Sequence, residues 1–139
     1  MASSLENATG HQPMSTGESH HQKQILELLR RLQLQGVVSW FERSNSGGGR
    51  DRGGRWIPFY RLFLPRHGVR DKGKADITGM LVGGRFFAIE IKDKPSDHPS
   101  PEQQDYLDCV RADGGIALVA RSREEVEEGL TAGLGKGRM

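Results

Sequence analysis

Asp76, Glu90 and Lys92 are the residues of this chain whose types and spacing can do chemistry; all three lie in the stretch GKADITGMLVGGRFFAIEIK, residues 73–92. Side chains alternate faces along a strand, so Phe87, Ile89 and Ile91 can enter a core while Glu90 and Lys92 emerge together on the other side, about 6–7 Å apart. The turn decides where Asp76 falls. A two-residue Gly83-Gly84 loop would set Asp76 opposite Ile91 and put the two acids on opposite faces. A three-residue loop, Val82-Gly83-Gly84 with Gly84 left-handed, sets Asp76 directly across from Glu90, with Cβ atoms within about 5 Å. It also gathers Ile77, Leu81, Phe87, Ile89 and Ile91 on one face, so the pattern predicts this second register. Two carboxylates that close repel by roughly 3 kcal/mol at an effective dielectric near 20. A cation is expected between them, and oxygen ligands beside a lysine suit Mg2+, which takes one or two carboxylates and keeps waters and substrate phosphates.

The elements that must position these residues are readable in outline. From about Glu18 to Gln35, Ile25, Leu28, Leu29, Leu32 and Leu34 approximate helical spacing, and Gly36 supplies a stop. Glu18, in the first turn, either contributes to the site or simply complements the helix dipole. Val37 to Phe41 predicts a short strand. RSNSGGGRDRGGR, with five glycines among four arginines, predicts a flexible basic loop that can lie along phosphates. Trp56 to Leu64 predicts one aromatic-rich strand, its rings expected in the core rather than as base-stacking platforms. After the hairpin, Ser100, Pro101 and Gln103 form a helix start: N-cap, first helical position, and capping-box partner. Gln103 shares i, i+4, i+7 spacing with Leu107 and Val110, so it also occupies an inward position where it can order the site. Gly114-Gly115 ends this helix, IALVA (116–120) predicts a buried strand, and Ser122 caps a last helix over 123–130. Residues 1–17 and 131–139 are expected to be tails.

Composition bounds the rest. The 139 residues are enough for one domain of modest core, and 35% hydrophobic with 27% charged residues is a globular balance. No apolar run approaches membrane-spanning length and no signal peptide is evident, so an intracellular protein without a membrane is expected. Cys109, the one cysteine, excludes an internal disulfide and multi-cysteine zinc, and is expected to be a buried thiol. Net charge is only +2, but its distribution is uneven. Arg43, Arg50, Arg52, Arg55, Arg61, Arg66, Arg70, Lys72 and Lys74 face only Asp51 and Asp71 in that stretch. A basic middle leading into paired acids suits a polyanion steered to a metal.

With these pieces in order, the sequence resembles the PD-(D/E)XK nuclease superfamily, and within it the small VRR-Nuc type domains of phage and bacterial nucleases. The resemblance covers roughly Glu18 to Leu130. It rests on an N-terminal helix with an early acid, Gly73-Lys-Ala-Asp-Ile-Thr-Gly79, Glu90-Ile-Lys92, and Ser100-Pro-Glu-Gln103 followed by Gly-Gly and an apolar strand. It implies an α/β fold with a restriction-endonuclease-like core, a mixed sheet flanked by helices in the order αβ(β)ββαβα. It implies that Asp76, Glu90 and the Ile91 carbonyl hold Mg2+, or Mn2+ in its place, with no organic cofactor. Lys92 would orient or activate the attacking water, and Glu18 and Gln103 would complete the site. Arg43, Arg50, Arg52, Arg55, Lys72 and Lys74 are the expected contacts to DNA. The implied activity is a structure-selective DNA endonuclease, and a homodimer with paired sites would suit branched or four-way substrates. Ala75 stands where these nucleases commonly have Pro, and His21 or Glu27 compete with Glu18 for the first-helix position.

Three other readings compete. A nucleic-acid-binding module could keep the nuclease fold without cleaving. Asp76, Glu90 and Lys92 could form a surface ion network contributing about 0–1 kcal/mol per pair. The five histidines, His11, His20, His21, His67 and His98, lack the spacing of a His-Asn hairpin nuclease.

Overall fold

The computed structural model describes residues 16–44 and 47–137. Helix α1 (Thr16–Leu34) leads into strand β1 (Val38–Arg43), two short hairpins, β2 (Gly48–Arg50) with β3 (Trp56–Pro58) and β4 (Leu62–Leu64) with β5 (Gly68–Arg70), and then the hairpin β6 (Ile77–Leu81) and β7 (Phe86–Ile91). Helix α2 (Pro101–Ala112), strand β8 (Ile116–Ala120) and helix α3 (Arg123–Gly137) follow. The fold is mixed α/β: a four-stranded sheet in the order β1-β6-β7-β8, antiparallel except for the β7–β8 pair, plus two two-stranded sheets.

The sheet has an apolar layer on each side because its inner strands are apolar in both phases. On one side Ile77, Leu81, Phe87, Ile89, Ile91, Ile116 and Ala120 meet Ile25, Leu28, Leu29 and Leu32 of α1 and Val126 and Leu130 of α3. On the other side Ala88 and Ala117 meet Tyr106 and Leu107 of α2, with Leu62 and Leu64 of β4 packed against them. Each fully buried Leu, Ile or Phe contributes about 1.5–3 kcal/mol, so these layers rather than helix propensity hold α1 and α2 in place. A parallel strand next to β7 requires a crossover, which α2 supplies.

Helix ends carry their own signals. Gly36 adopts φ +79°, with its N–H bonded to Gln33 O at 3.2 Å and the Val37 N–H to Leu32 O at 2.9 Å, a Schellman stop. Ser100 caps α2: its Oγ accepts from Gln103 N–H, and the Gln103 side chain accepts in return from Ser100 N–H.

The turn between β6 and β7 is the three-residue form. Ile77 pairs with Ile89, Gly79 with Phe87, and Leu81 N–H bonds to Arg85 O at 2.8 Å, leaving Val82, Gly83 and Gly84 as the loop. Gly83 and Gly84 both have positive φ, +105° and +102°, conformations other residues resist. Continuing the register by one residue sets Asp76 across from Glu90.

Several expectations need correction. Trp56 to Leu64 is two strands in different sheets, so the single extra strand in αβ(β)ββαβα is a pair of hairpins. Phe59 and Phe63 are 58% and 74% exposed, and so are not core. Part of the glycine-arginine segment is ordered as β2 and its turn, where Asp51 Oδ1 accepts from Gly53 and Arg55 N–H, both at 2.9 Å. The last helix runs to Gly137, not 130, so most of the expected 131–139 tail is helical. Helix α1 starts two residues before Glu18; residues 1–15 of the expected tail, and Asn45 and Ser46, lie outside the described residues. Cys109 is half-buried rather than buried.

Candidate functional site

Glu90 is where the burial pattern breaks. It sits near the end of β7 and is 2% exposed, a carboxyl in a strand otherwise made of Phe, Ala and Ile. That location excludes the surface ion network weighed above. Its Oε1 accepts from Gln103 Nε2 at 2.9 Å. Its Oε2 is buried and receives no donor from the protein; the neighbouring Asp76 carboxyl is a second acceptor, so the two can be bridged only by a shared proton or by a cation. Buried carboxylate oxygens without donors are rare, because desolvation is then uncompensated.

Asp76 precedes β6 and reaches across the hairpin, accepting the Ile91 N–H on Oδ2 at 2.7 Å. This bond fixes the rotamer of Asp76 against the strand that carries Glu90. Ile91 N–H faces the β6 side, and the Ile91 carbonyl, sharing that edge of an extended strand, faces it too; Lys92 N–H turns the other way, to Ala120 O at 3.0 Å. Burial pushes the Glu90 carboxyl up to about 9, the Asp76 carboxyl adds to the rise, and Lys92 offsets part of it.

Lys92 lies on the same face as Glu90, with a side chain 16% exposed and Nζ 3.9 Å from Glu90 Oε1. Its nearer partner is Gln103 Oε1, at 3.2 Å. Gln103 thus does both things its position suggested: it closes the capping box and joins Glu90 to Lys92. The amide orientation is determined, since reversing it would aim its NH2 at an ammonium and at Ser100 N–H.

Glu18 reaches this site from α1. It continues the buried stripe of that helix backward from Gln22 and Ile25, and its carboxyl is raised first by burial, with Lys92 lowering it and Asp76, Asp97 and Asp93 raising it further. His21, a competitor for that position, instead has Nε2 3.4 Å from Asp93 Oδ1, and Glu27 is exposed on the far side of the stripe. The residue before Glu18, Gly17, packs against the Asp93 carboxyl, which a side chain at that position would have to displace.

The basic residues divide into two groups. Arg43 pairs with Ile77 across β1 and β6, beside Asp76, while Lys74 Nζ lies 3.9 Å from Glu42 and over the Tyr60 ring at 5.8 Å. Lys72 pairs with Glu102 at the start of α2, 3.5 Å apart. Arg50, Arg52 and Arg55 belong to the β2–β3 hairpin, where Arg50 Nη1 donates to Gly54 O at 2.8 Å.

Tyr60 and Glu42 were not singled out from sequence. Lys74 N–H donates to Tyr60 Oη at 3.3 Å, and burial holds that phenol above its ordinary range, with Asp71 and Glu90 adding to the rise. Glu42 Oε1 accepts from Thr78 Oγ1 at 3.4 Å. No local signal exposes either residue, because both depend on strand pairing.

Among the described residues no cluster of three or more His, Cys, Asp or Glu is arranged as a metal cage. The donors that converge are two carboxylates and a carbonyl, an oxygen set that leaves positions for water and phosphate, as Mg2+ prefers. The unpartnered Glu90 Oε2 facing Asp76 is the observation that fits a cation there. No protein-family model, curated protein or solved structure matches this chain.

Proposed function

We propose that the protein is a Mg2+-dependent DNA endonuclease with a restriction-endonuclease-like core, hydrolysing phosphodiester bonds at Asp76, Glu90 and Lys92. The observation that carries this reading is the buried Glu90 carboxyl, left with one oxygen unsatisfied beside a second carboxyl and tied through Gln103 to a lysine. A bland structural role would not sustain it: two apolar residues would fill the same space at lower cost.

Asp76, Glu90 and the Ile91 carbonyl would hold the cation, which supplies polarisation of a phosphoryl oxygen and acidifies a water. The chain's own residues do the remainder. Ile91 N–H fixes Asp76, so the acid needs no reorganisation on binding. Gln103 holds Lys92 Nζ beside the acids, where its charge orients the attacking water and offsets negative charge growing on the phosphorane-like transition state. Glu18, within electrostatic reach of Lys92 and Asp76, would order water there. No covalent intermediate is needed. The basic residues around the acids, Arg43, Lys72 and Lys74, would neutralise flanking phosphates.

A cleavage panel of single-stranded, duplex, flap and four-way-junction DNA with Mg2+, Mn2+ or EDTA tests this. Cleavage is expected with either metal, lost in EDTA, and reduced about 10^3-fold or more in Asp76→Asn, Glu90→Gln or Lys92→Ala, on the scale of losing a charge-stabilising group. DNA binding in EDTA should survive in these variants. Cutting that persists in EDTA, or full activity in the Glu90 variant, would overturn the assignment. Binding without cleavage in the wild type would favour the module that keeps the fold and does not cut.

A further inference from the structure

The chain from the end of β3 through β4 presents an outward row that the site does not use. From Phe59 to Leu64 burial alternates at every residue: Phe59, Arg61 and Phe63 are exposed, while Tyr60, Leu62 and Leu64 turn inward. The inward residues are anchored. Leu62 and Leu64 pack against the α2 side of the sheet, and Tyr60 Oη accepts the N–H of Lys74, two residues before Asp76. Phe63 pairs across β4 and β5 with Val69, itself 53% exposed, so its ring stands beside a second apolar side chain. A phenylalanine 74% exposed and another 58% exposed, on anchored backbone beside the acid pair, need an occupant.

Charge selects the occupant. Residues 47–70 hold six arginines, Arg50, Arg52, Arg55, Arg61, Arg66 and Arg70, against one acid, Asp51. Asp51 is engaged by backbone N–H groups and Arg70 by Asp105 at 2.9 Å, while Arg52, Arg55, Arg61 and Arg66 form no ion pair among the described residues. A two-fold interface with a second copy built on this segment would bring two arginine-rich segments together, which like-charge repulsion opposes. A polyanion with planar apolar groups satisfies both features at once.

We infer that Phe59, Arg61 and Phe63 form a stacking strip for an unpaired nucleic-acid strand next to the acid pair, so that substrates with a single-stranded arm are the preferred class. Spacing argues for an unpaired strand. Neighbouring members of the row are two residues apart, a reach of up to about 7 Å along extended chain, roughly twice the 3.4 Å rise per base of a stacked duplex strand. Successive bases can reach such a row only when splayed apart, with Arg61 stacking between the two rings or meeting the intervening phosphate. The identification of the neighbouring acids as a phosphodiesterase centre is the reading on which the strip's role rests; the strip's binding is independent of cleavage.

Binding of fluorescent single-stranded, blunt duplex and armed duplex DNA in EDTA tests the strip without requiring catalysis. Phe59→Ala with Phe63→Ala is expected to weaken single-strand and armed-duplex binding by about tenfold or more per ring, with blunt duplex unchanged. Phe63→Trp should retain binding and Phe63→Leu should not, since Leu keeps apolar area but no stacking face. Equal losses on every DNA, or wild-type affinity in the double variant, would overturn the strip. So would a wild-type dimer by sedimentation that the double variant abolishes while single-strand affinity persists. Intact strip behaviour with no metal-dependent cleavage would leave the strip standing and remove the nuclease reading.

Discussion

The β6–β7 hairpin and the β3–β4 region are close in sequence, both glycine-flanked and both rich in aromatic and β-branched residues, yet they turn out oppositely. In the first, both faces are covered, and seven of the eleven strand residues belong to the buried set on the α1 side or are Ala88 and Glu90 on the other. In the second, one face is anchored and the other is open at Phe59, Arg61 and Phe63. Burial on two sides leaves a strand one register, because a one-residue slip of β7 would turn Glu90 into the α1 layer and Ile89 and Ile91 onto the face that carries Asp76. Burial on one side leaves a surface free for something else. A buried acid in the first region and exposed rings in the second are therefore the same kind of signal, a residue placed against its solvation preference.

Three experiments would break or sharpen that contrast. The largest effect concerns Glu90. Its carboxyl sits at about 9 in the folded protein against 4.5 ordinarily, so between those values the unfolded chain releases a proton that the folded chain keeps. Stability without divalent metal should be full below pH 4.5 and fall by several kcal/mol as pH rises toward 9. Urea melts across that range should show the fall; Glu90→Gln should flatten it, and Mg2+ should counter it increasingly at higher pH. A metal-free stability that rises over the same interval would contradict the buried acid. Next, Ile89→Ala removes a fully buried side chain and should cost about 3 kcal/mol in the same melts, with the cavity left on the α1 side of the sheet. Smallest is Phe63→Ala, which should stay within about 0.5 kcal/mol of the wild type despite losing the larger side chain. A cost near that of Ile89→Ala would mean the ring is packed rather than presented.

What the sequence disclosed follows the same division. The three-residue turn, the Asp76–Glu90 juxtaposition and the Ser100–Gln103 capping box were legible, because each is fixed by short-range patterns of apolarity and by glycine. The inward Gln103 was legible for the same reason. Trp56 to Leu64 was misread as one strand with core rings, since its alternation is genuine but its two halves pair with different partners, Gly48–Arg50 and Gly68–Arg70. Pairing partners are not encoded in the run itself. The basic loop hid a hairpin whose turn depends on a single side chain, Asp51. The final helix outran its expected end at 130 and reaches Gly137, and within it Gly129 serves close packing, since a Cβ there would meet Leu118 at 2.7 Å.

Arg121 gives the segment after Lys92 a property that the hairpin lacks. Its guanidinium donates to the carbonyls of Lys94, Pro95 and Asp97, across 27, 26 and 24 residues of chain, at the junction between β8 and α3. These bonds act as a reversible staple that closes a ring containing all of α2 and β8, much as a cross-link shortens an open chain. Releasing the staple would free the entry to α2 before the sheet itself melts, and Gln103 sits within its first turn. Local opening at Arg121 would therefore loosen the amide partner of Lys92 while the core stays folded, so hydrogen exchange at the Gln103 and Gln104 amides, which bond to Ser100, should report the state of the site more directly than global unfolding does.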